Sequence, residues 1–501
     1  MRMNTSRSKN AMLNILCGYL AQIGILVLSF VGRRIFLDFL SVEYLGINVL
    51  YSNILTVLSS AELGVDTALV YSLYKPVAEE NVPLVNALLK YFKKIYILMA
   101  IGIFAIGSAL IPFLKFIIKS ELTSNELTLY YLLFLINTIA SYFTAHKVAY
   151  LSACQEQRVQ KLVAIFTNFL MQILHIIVLF VWRNYYFYII ATVVSTLISN
   201  FVLNAVCNRI HPNLKEKTAE IIFDKKPIRR KIGSTFIYKL GGVAINNTDN
   251  ILISMLVSTA AVGFYSNYCT LLSAIQGFIA IISTTLISGI GNLAAHGDKK
   301  RQYEIFKVTL LLYHYIAALG FVGLGLLCND FITIWLGAEY VLDKMTVFII
   351  VFNFYLTNAI TPIWMYREAN GLFEQVSFLM LIRASVNFVL SIILGIEFGV
   401  WGILVSTAIS LIITNFWYEP SILFKTIFES SVFQYWKKQI KYFIVTCLSM
   451  LISVVIMSSI PSGGYFVFKG IIVIVIVSVS FLLVSLKSDE VNIIFSILKI
   501  R

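Results

Sequence analysis

The sequence predicts an all-α polytopic membrane protein with about fourteen transmembrane helices. They would form two six-helix lobes related by a pseudo-two-fold along the membrane normal, plus two C-terminal helices. Three observations predict this. Of 501 residues, 59% are hydrophobic and only 13% charged, with mean hydropathy +0.85, more apolar surface than one soluble core can hide. Apolar stretches of about 20 residues, the length that crosses a hydrocarbon core about 30 Å thick, recur from end to end. The spacing of those stretches also repeats once along the chain.

The first apolar run starts near Ala11 and passes 20 residues without a small-residue cleavage site, so it reads as a retained span over roughly 11–32. Spans near 45–73, 95–114, 127–146, 162–182 and 186–206 complete an N-terminal lobe, 1–208. A polar segment, 209–231, with two prolines and mixed charge reads as a cytoplasmic linker. Spans near 232–257, 261–291, 308–327, 345–366, 372–395 and 399–418 build a C-terminal lobe, 232–424. Residues 425–501 hold two extra helices, near 442–460 and 466–486, and a cytoplasmic tail.

Charge fixes the orientation. With the N-terminus in the cytoplasm, roughly 30 of the 39 Lys and Arg residues face inward. Arg33, Arg34, Lys115, Lys119, Arg183, Lys344 and Lys469 fall outside, and Lys239 and Arg383 lie within spans. Adding or removing one span would scramble that segregation, so both termini are expected in the cytoplasm. The net charge of +14 is then mostly topology and implies no nucleic-acid partner.

Sliding the first lobe by 217 positions pairs Gly24 with Gly241, Gly46 with Gly263, Tyr51 with Tyr268 and Lys90 with Lys307. Identity is only about one in eight, yet the span edges coincide as well. Both copies would start inside, which makes the repeat parallel. Two such lobes can enclose a cavity and open it alternately to either side.

An ionisable side chain at mid-bilayer costs about 2.5–3.5 kcal/mol on insertion scales, so the few present are candidate site residues. Glu62 and Asp66, one turn apart on one helix face, suit a cation or proton site or a counter-charge to an arginine; the bland alternative is an N-terminal cap on a helix broken at Gly64. Lys239, Asn246, Asp249 and Asn250 form a polar stripe on the seventh span, facing a cavity or bonding a neighbouring helix. Arg383 lies near the middle of the eleventh span and suits either pairing with Glu62 or Asp66 or a bidentate grip on phosphate. Arg33 and Arg34 end the first span, as snorkelling residues or as phosphate-steering ones. Pro362 is a candidate hinge beside Gly64. His175 and His314 read as packing histidines.

No Walker A loop, dinucleotide-binding glycine turn, H-E-x-x-H or G-x-S-x-G is present, so no catalytic residue is assigned and no enzyme is expected. Six scattered cysteines without C-x-x-C spacing predict no metal site.

Several stretches carry a resemblance: SVEYLGINVLYSNILTVLSSAELGVDTALVYSLYKP, NTDNILISMLVSTAAVGFYSNYCTLL, ISGIGNLAAHGD, FITIWLGAEYVL and RASVNFVLSIILGIEFGVWGILVSTAIS. In order and spacing, over roughly residues 10–425, the chain resembles the Wzx-type polysaccharide-unit flippases of the multidrug/oligosaccharidyl-lipid/polysaccharide (MOP) exporter superfamily. The resemblance implies a cationic cavity between two lobes. It implies export of an undecaprenyl-pyrophosphate-linked oligosaccharide across the bacterial cytoplasmic (inner) membrane, for O-antigen, capsule or exopolysaccharide. No cofactor is implied, but a proton or sodium gradient is the expected drive. Expected partners are the lipid-linked oligosaccharide, membrane lipids, a polysaccharide polymerase and other assembly proteins. Arg383, Lys239 and Arg34 would meet the pyrophosphate, and Asn246, Asn250, Tyr51 and Tyr268 the sugars. The family often has an acid where Arg383 stands. The alternatives are a lipid II flippase, a cation-coupled drug exporter, against which the acid-free first span speaks, and a non-transporting subunit of a glycan assembly complex.

Overall fold

The structure, a computed structural model, describes residues 23–215 and 242–493, apart from 25, 61, 244–246, 296, 373, 460–464 and 487. All regular elements among the described residues are helical. The chain divides into two compact units, Met1–Gly263 and Phe264–Arg501.

The first unit contains α1 (26–39), α2 (Val42–Ser59), α3 (Glu62–Ala78), α4 (Val82–Ala109), α5 (Ser124–Ala153), α6 (Gln157–Trp182), α7 (Tyr185–Ile210) and α8 (247–256). Local chemistry sets the starts. Thr123 and Glu126 form a capping box at α5, Asn81 accepts from the Leu84 amide at 3.0 Å, and Asn184 accepts from the Tyr186 amide at 2.8 Å. On α6, Leu162, Phe166, Phe169, Ile173, Ile177 and Phe180 recur every three or four residues and are all exposed. Such an apolar outer stripe, opposite the inward Gln172 and His175, inverts the pattern of a soluble helix and marks a lipid-facing one.

The first unit ends at Gly263. Lys119 Nζ donates to the Leu256 carbonyl at 2.8 Å, and the Thr259 amide donates to the Lys119 carbonyl at 3.0 Å. These bonds hold α8 and the residues after it to the first unit. Beside them, α2 crosses the start of α9 (Thr259–Ala295) at backbone contact. A Cβ on Gly46 would lie 1.9 Å from the Thr259 carbonyl oxygen, and one on Gly263 would lie 2.2 Å from the Val42 carbonyl oxygen. Val42 and Gly46 correspond to Thr259 and Gly263 in the sequence repeat, so the contact is reciprocal between equivalent positions.

The second unit continues through α9 into α10 (Lys299–Trp335), α11 (Lys344–Ala369), α12 (Glu374–Ile413), α13 (Asn415–Leu423), α14 (Phe433–Ser458) and α15 (Phe466–Ser485). Its core includes the fully buried Phe306, Tyr313, Tyr366, Phe424 and Tyr435. Ion pairs tie the two C-terminal helices in: Lys469 on α15 to Asp330 at 3.0 Å, and Lys438 on α14 to Glu490. Burial pushes the Glu490 carboxyl up, but the hydrogen bond and charge of Lys438 outweigh it and hold that carboxyl below its usual range.

Among the described residues, ten helices are long and apolar enough to cross a membrane, eleven with the bent pair α2 and α3, and α12 covers two expected spans that meet at Gly399. Residues 42–59 and 64–78 differ in axis by 53°, and Gly64 lies in the first turn of α3. Ser59 and Ser60 donate to the carbonyls of Thr56 and Val57, at 3.1 and 2.6 Å. Such back-bonding loosens the last turn of a helix. Pro362 is buried inside a continuous α11, whereas Gly399, with φ 64° and ψ −137°, interrupts α12. A left-handed φ of that kind suits glycine and resists a side chain.

Candidate functional site

The first unit carries an open cavity of about 340 Å³ between four helices, with Leu55, Phe134 and Met171 among otherwise polar lining residues. From α2 come Asn48, Ser52, Thr56 and Ser59, spaced four, four and three residues apart on one face. Helix α5 adds Asn137 and Thr138, α6 adds Gln172 and His175, and α7 adds Tyr188 and Thr192. The His175 ring stacks on Tyr188 with centroids 3.8 Å apart and places Nε2 2.9 Å from the Thr192 hydroxyl. His175 is therefore more than a packing residue: it is 5% exposed and lines the cavity. Arg33 acts electrostatically on Tyr188, which brings a cation of α1 beside this wall. Arg34 instead pairs with Asp38 at 3.2 Å, both side chains nearly half exposed.

The acids lie next to the cavity floor. Ser59 lines the cavity, and its carbonyl is 3.5 Å from the Tyr142 hydroxyl, which also bonds the Glu62 carboxylate. Glu62 interacts with Asp66, and both act on the fully buried Tyr96. Glu62 stands in the first turn of α3, where helix-end N–H groups favour a carboxylate. The structure thus brings together Glu62, Asp66, Tyr96 and Tyr142 on α3, α4 and α5 and joins them to the polar wall.

Arg383 has a counter-charge within its own unit. It is buried at 8% exposure and acts on Glu419 of α13. Glu419 also takes a hydrogen bond from Asn415 and an ion pair from Arg367 Nη1 at 2.8 Å, with the Arg367 and Glu419 side chains 7% and 0% exposed. Arg367, in the last turn of α11, is thus a buried partner. The clue in the sequence is the Asn415–Glu419 spacing of one helical turn, just past the expected end of the twelfth span.

Lys239 and Asn246 lie outside the described residues. Asp249 and Asn250 are half-buried in the first unit, on α8. Tyr51 and Tyr268 are withdrawn as sugar contacts because both are 0% exposed. The Tyr51 hydroxyl donates to the Leu127 carbonyl at 2.8 Å; that of Tyr268 donates to Asn329 at 2.7 Å and accepts from the Leu342 amide. They anchor neighbouring helix starts.

The second unit carries an apolar groove of about 500 Å³, walled by Leu271, Ile275 and Phe278 of α9, Leu327 of α10 and Val473 of α15. Glycines keep it open: a Cβ on Gly323 would meet only Val473, and one on Gly470 only Leu327, each at 3.9 Å.

Helices long and apolar enough to cross a membrane define a multi-pass membrane protein. Solved membrane proteins share the fold. A lipid II flippase, MurJ, in an inward closed conformation aligns with TM-score 0.69 at 15% identity, covering 93% of this chain and 98% of that one. An inward-facing multidrug resistance MATE family transporter of the MOP superfamily aligns with TM-score 0.64 at 12% identity, over 81% and 99%. The Vibrio cholerae MATE transporter VcmN aligns with TM-score 0.57 at 12% identity, over 85% and 100%. Residues 11–287, more than half of the chain, match the model of one family, and on that match the chain belongs to the polysaccharide biosynthesis protein family. Comparison with curated proteins finds no match.

Proposed function

We propose that the protein moves a polyprenyl-pyrophosphate-linked oligosaccharide unit from the inner to the outer leaflet of the bacterial cytoplasmic membrane, by alternating access, for surface polysaccharide synthesis. The observation that carries this reading is the presence in one membrane chain of a hydroxyl- and amide-walled cavity and a wholly apolar groove. A lipid-linked saccharide is the cargo that needs both. Its sugars lose water hydrogen bonds on entering the bilayer and need polar partners there, while its prenyl chain gains nothing from leaving an apolar surface.

Arg33, beside the polar wall, is the described cation best placed to draw a pyrophosphate. Arg383 is less suited, because Glu419 already offsets its charge. Glu62, with Asp66 and Tyr142, is the proposed coupling site for a proton or sodium gradient, next to the cavity it would control.

The test is deletion of the gene in its host. The expected result is accumulation of lipid-linked saccharide on the cytoplasmic leaflet and loss of surface polysaccharide, restored by the wild-type chain. Unchanged surface polysaccharide would contradict the reading, and rescue of a lipid II flippase-depleted strain would redirect it to lipid II.

A further inference from the structure

The hydroxyls on the wall of the cavity spend their hydrogens on their own helices. The hydroxyls of Ser52, Thr56 and Ser59 donate to the carbonyls of Asn48, Ser52 and Thr56, at 2.8, 2.7 and 3.1 Å. Thr138 and Thr192 likewise donate to Phe134 and Tyr188, at 3.0 and 3.3 Å. A hydroxyl whose hydrogen is committed to its own helix offers a ligand only lone pairs.

His175 places Nε2 2.9 Å from the Thr192 hydroxyl, and its Nδ1 is buried with no hydrogen-bond partner; so is Asn137 Oδ1. Buried polar atoms left unmet each cost about 1–3 kcal/mol, a cost that a ligand bearing O–H groups, which both donate and accept, removes.

Charge narrows the ligand further. Among the described residues, none that lines the cavity is a carboxylate, so a metal cation or ammonium finds no counter-charge on the wall itself. An anion would face a wall of lone pairs. A neutral polyol suits both constraints, with the amide groups of Asn48 and Gln172 free to give hydrogens to its oxygens.

We infer that this cavity is a subsite for an uncharged sugar ring of the transported saccharide, held mainly through the hydrogens of its hydroxyls. The inference rests on the transport reading above and assigns the sugar to the interior of the first unit.

The test uses the full chain in lipid nanodiscs with free glucose, galactose and N-acetylglucosamine as probes, observed by saturation-transfer NMR. At least one of them should show transfer, and its affinity should fall about tenfold in Thr56→Val/Asn137→Leu, the effect of removing two neutral hydrogen bonds. Thr56→Ser, which keeps the lone pairs, should retain binding. Should the double variant not fold, Thr56→Val alone, which preserves shape, should show about threefold weaker binding. No transfer from any of the three sugars, equal transfer in the variants, or thermal stabilisation by sodium or ammonium chloride instead of sugar would overturn the subsite. Wild-type surface polysaccharide from the double variant, together with absent sugar signals, would sink the subsite and leave transport standing.

Discussion

Glu419→Leu is expected to destabilise the second unit by about 3–5 kcal/mol, the range for removing one partner of a buried ion pair. The Glu419 side chain is 0% exposed and is the acid common to Arg367 at 2.8 Å, to Asn415 and to the field of Arg383. Removing it takes the carboxylate from between two buried guanidinium groups, those of Arg367 and Arg383. Arg367→Met should cost less, since Arg383 and Asn415 still act on Glu419. Thermal unfolding of the purified chain in one detergent, compared across wild type, Glu419→Leu and Arg367→Met, gives the order. Equal stability of Glu419→Leu and wild type would show that the cluster is not the anchor of α11, α12 and α13 described here.

The second large effect concerns the crossing of α2 with the start of α9. Gly46→Ala and Gly263→Ala should each destabilise by about 1–3 kcal/mol, as overpacking of a close contact does. On helix propensity alone, each change would stabilise by about 1 kcal/mol. The sign of the change therefore decides between the two. A Cβ on Gly46 meets a backbone oxygen at 1.9 Å, which no rotamer change relieves, so the helices must part. Close approach through small residues is how membrane helices gain packing energy where lipid supplies no hydrophobic drive. Because both glycines serve one crossing, the double variant should fall short of the sum of the singles. A raised unfolding temperature in either single variant would contradict the contact.

Elements defined by length and composition were legible in the sequence. An apolar run must cross or be buried, and a lipid-facing stripe such as that of α6 follows from spacing. The position of the α2–α3 bend was legible to within a few residues. Its cause was not, because the serines at the end of α2 act through their own carbonyls while attention falls on Gly64. The polar cavity was hidden for a different reason: its residues come from four helices, and each Asn, Ser or Thr alone looks like ordinary interhelical bonding. Only the α2 series Asn48, Ser52, Thr56 and Ser59 keeps a helical period by itself. Arg383 stands out in the sequence as a charge inside an apolar run, and the acids of the first lobe are the partners the sequence offers it, whereas Glu419 lies within its own unit. Glu419 stood at the edge of the next span, where an acid looks interfacial until its burial is known.

The central claim, that this chain moves a lipid-linked saccharide between leaflets, is tested most directly by reconstitution. The purified full-length protein is placed in vesicles with a labelled polyprenyl-pyrophosphate-linked saccharide, and a glycosidase that cannot cross the bilayer is added outside. The account predicts that saccharide from the inner leaflet becomes accessible to the enzyme only in vesicles that hold the protein. Digestion confined to the outer leaflet, the same as in protein-free vesicles under every gradient imposed, would contradict it.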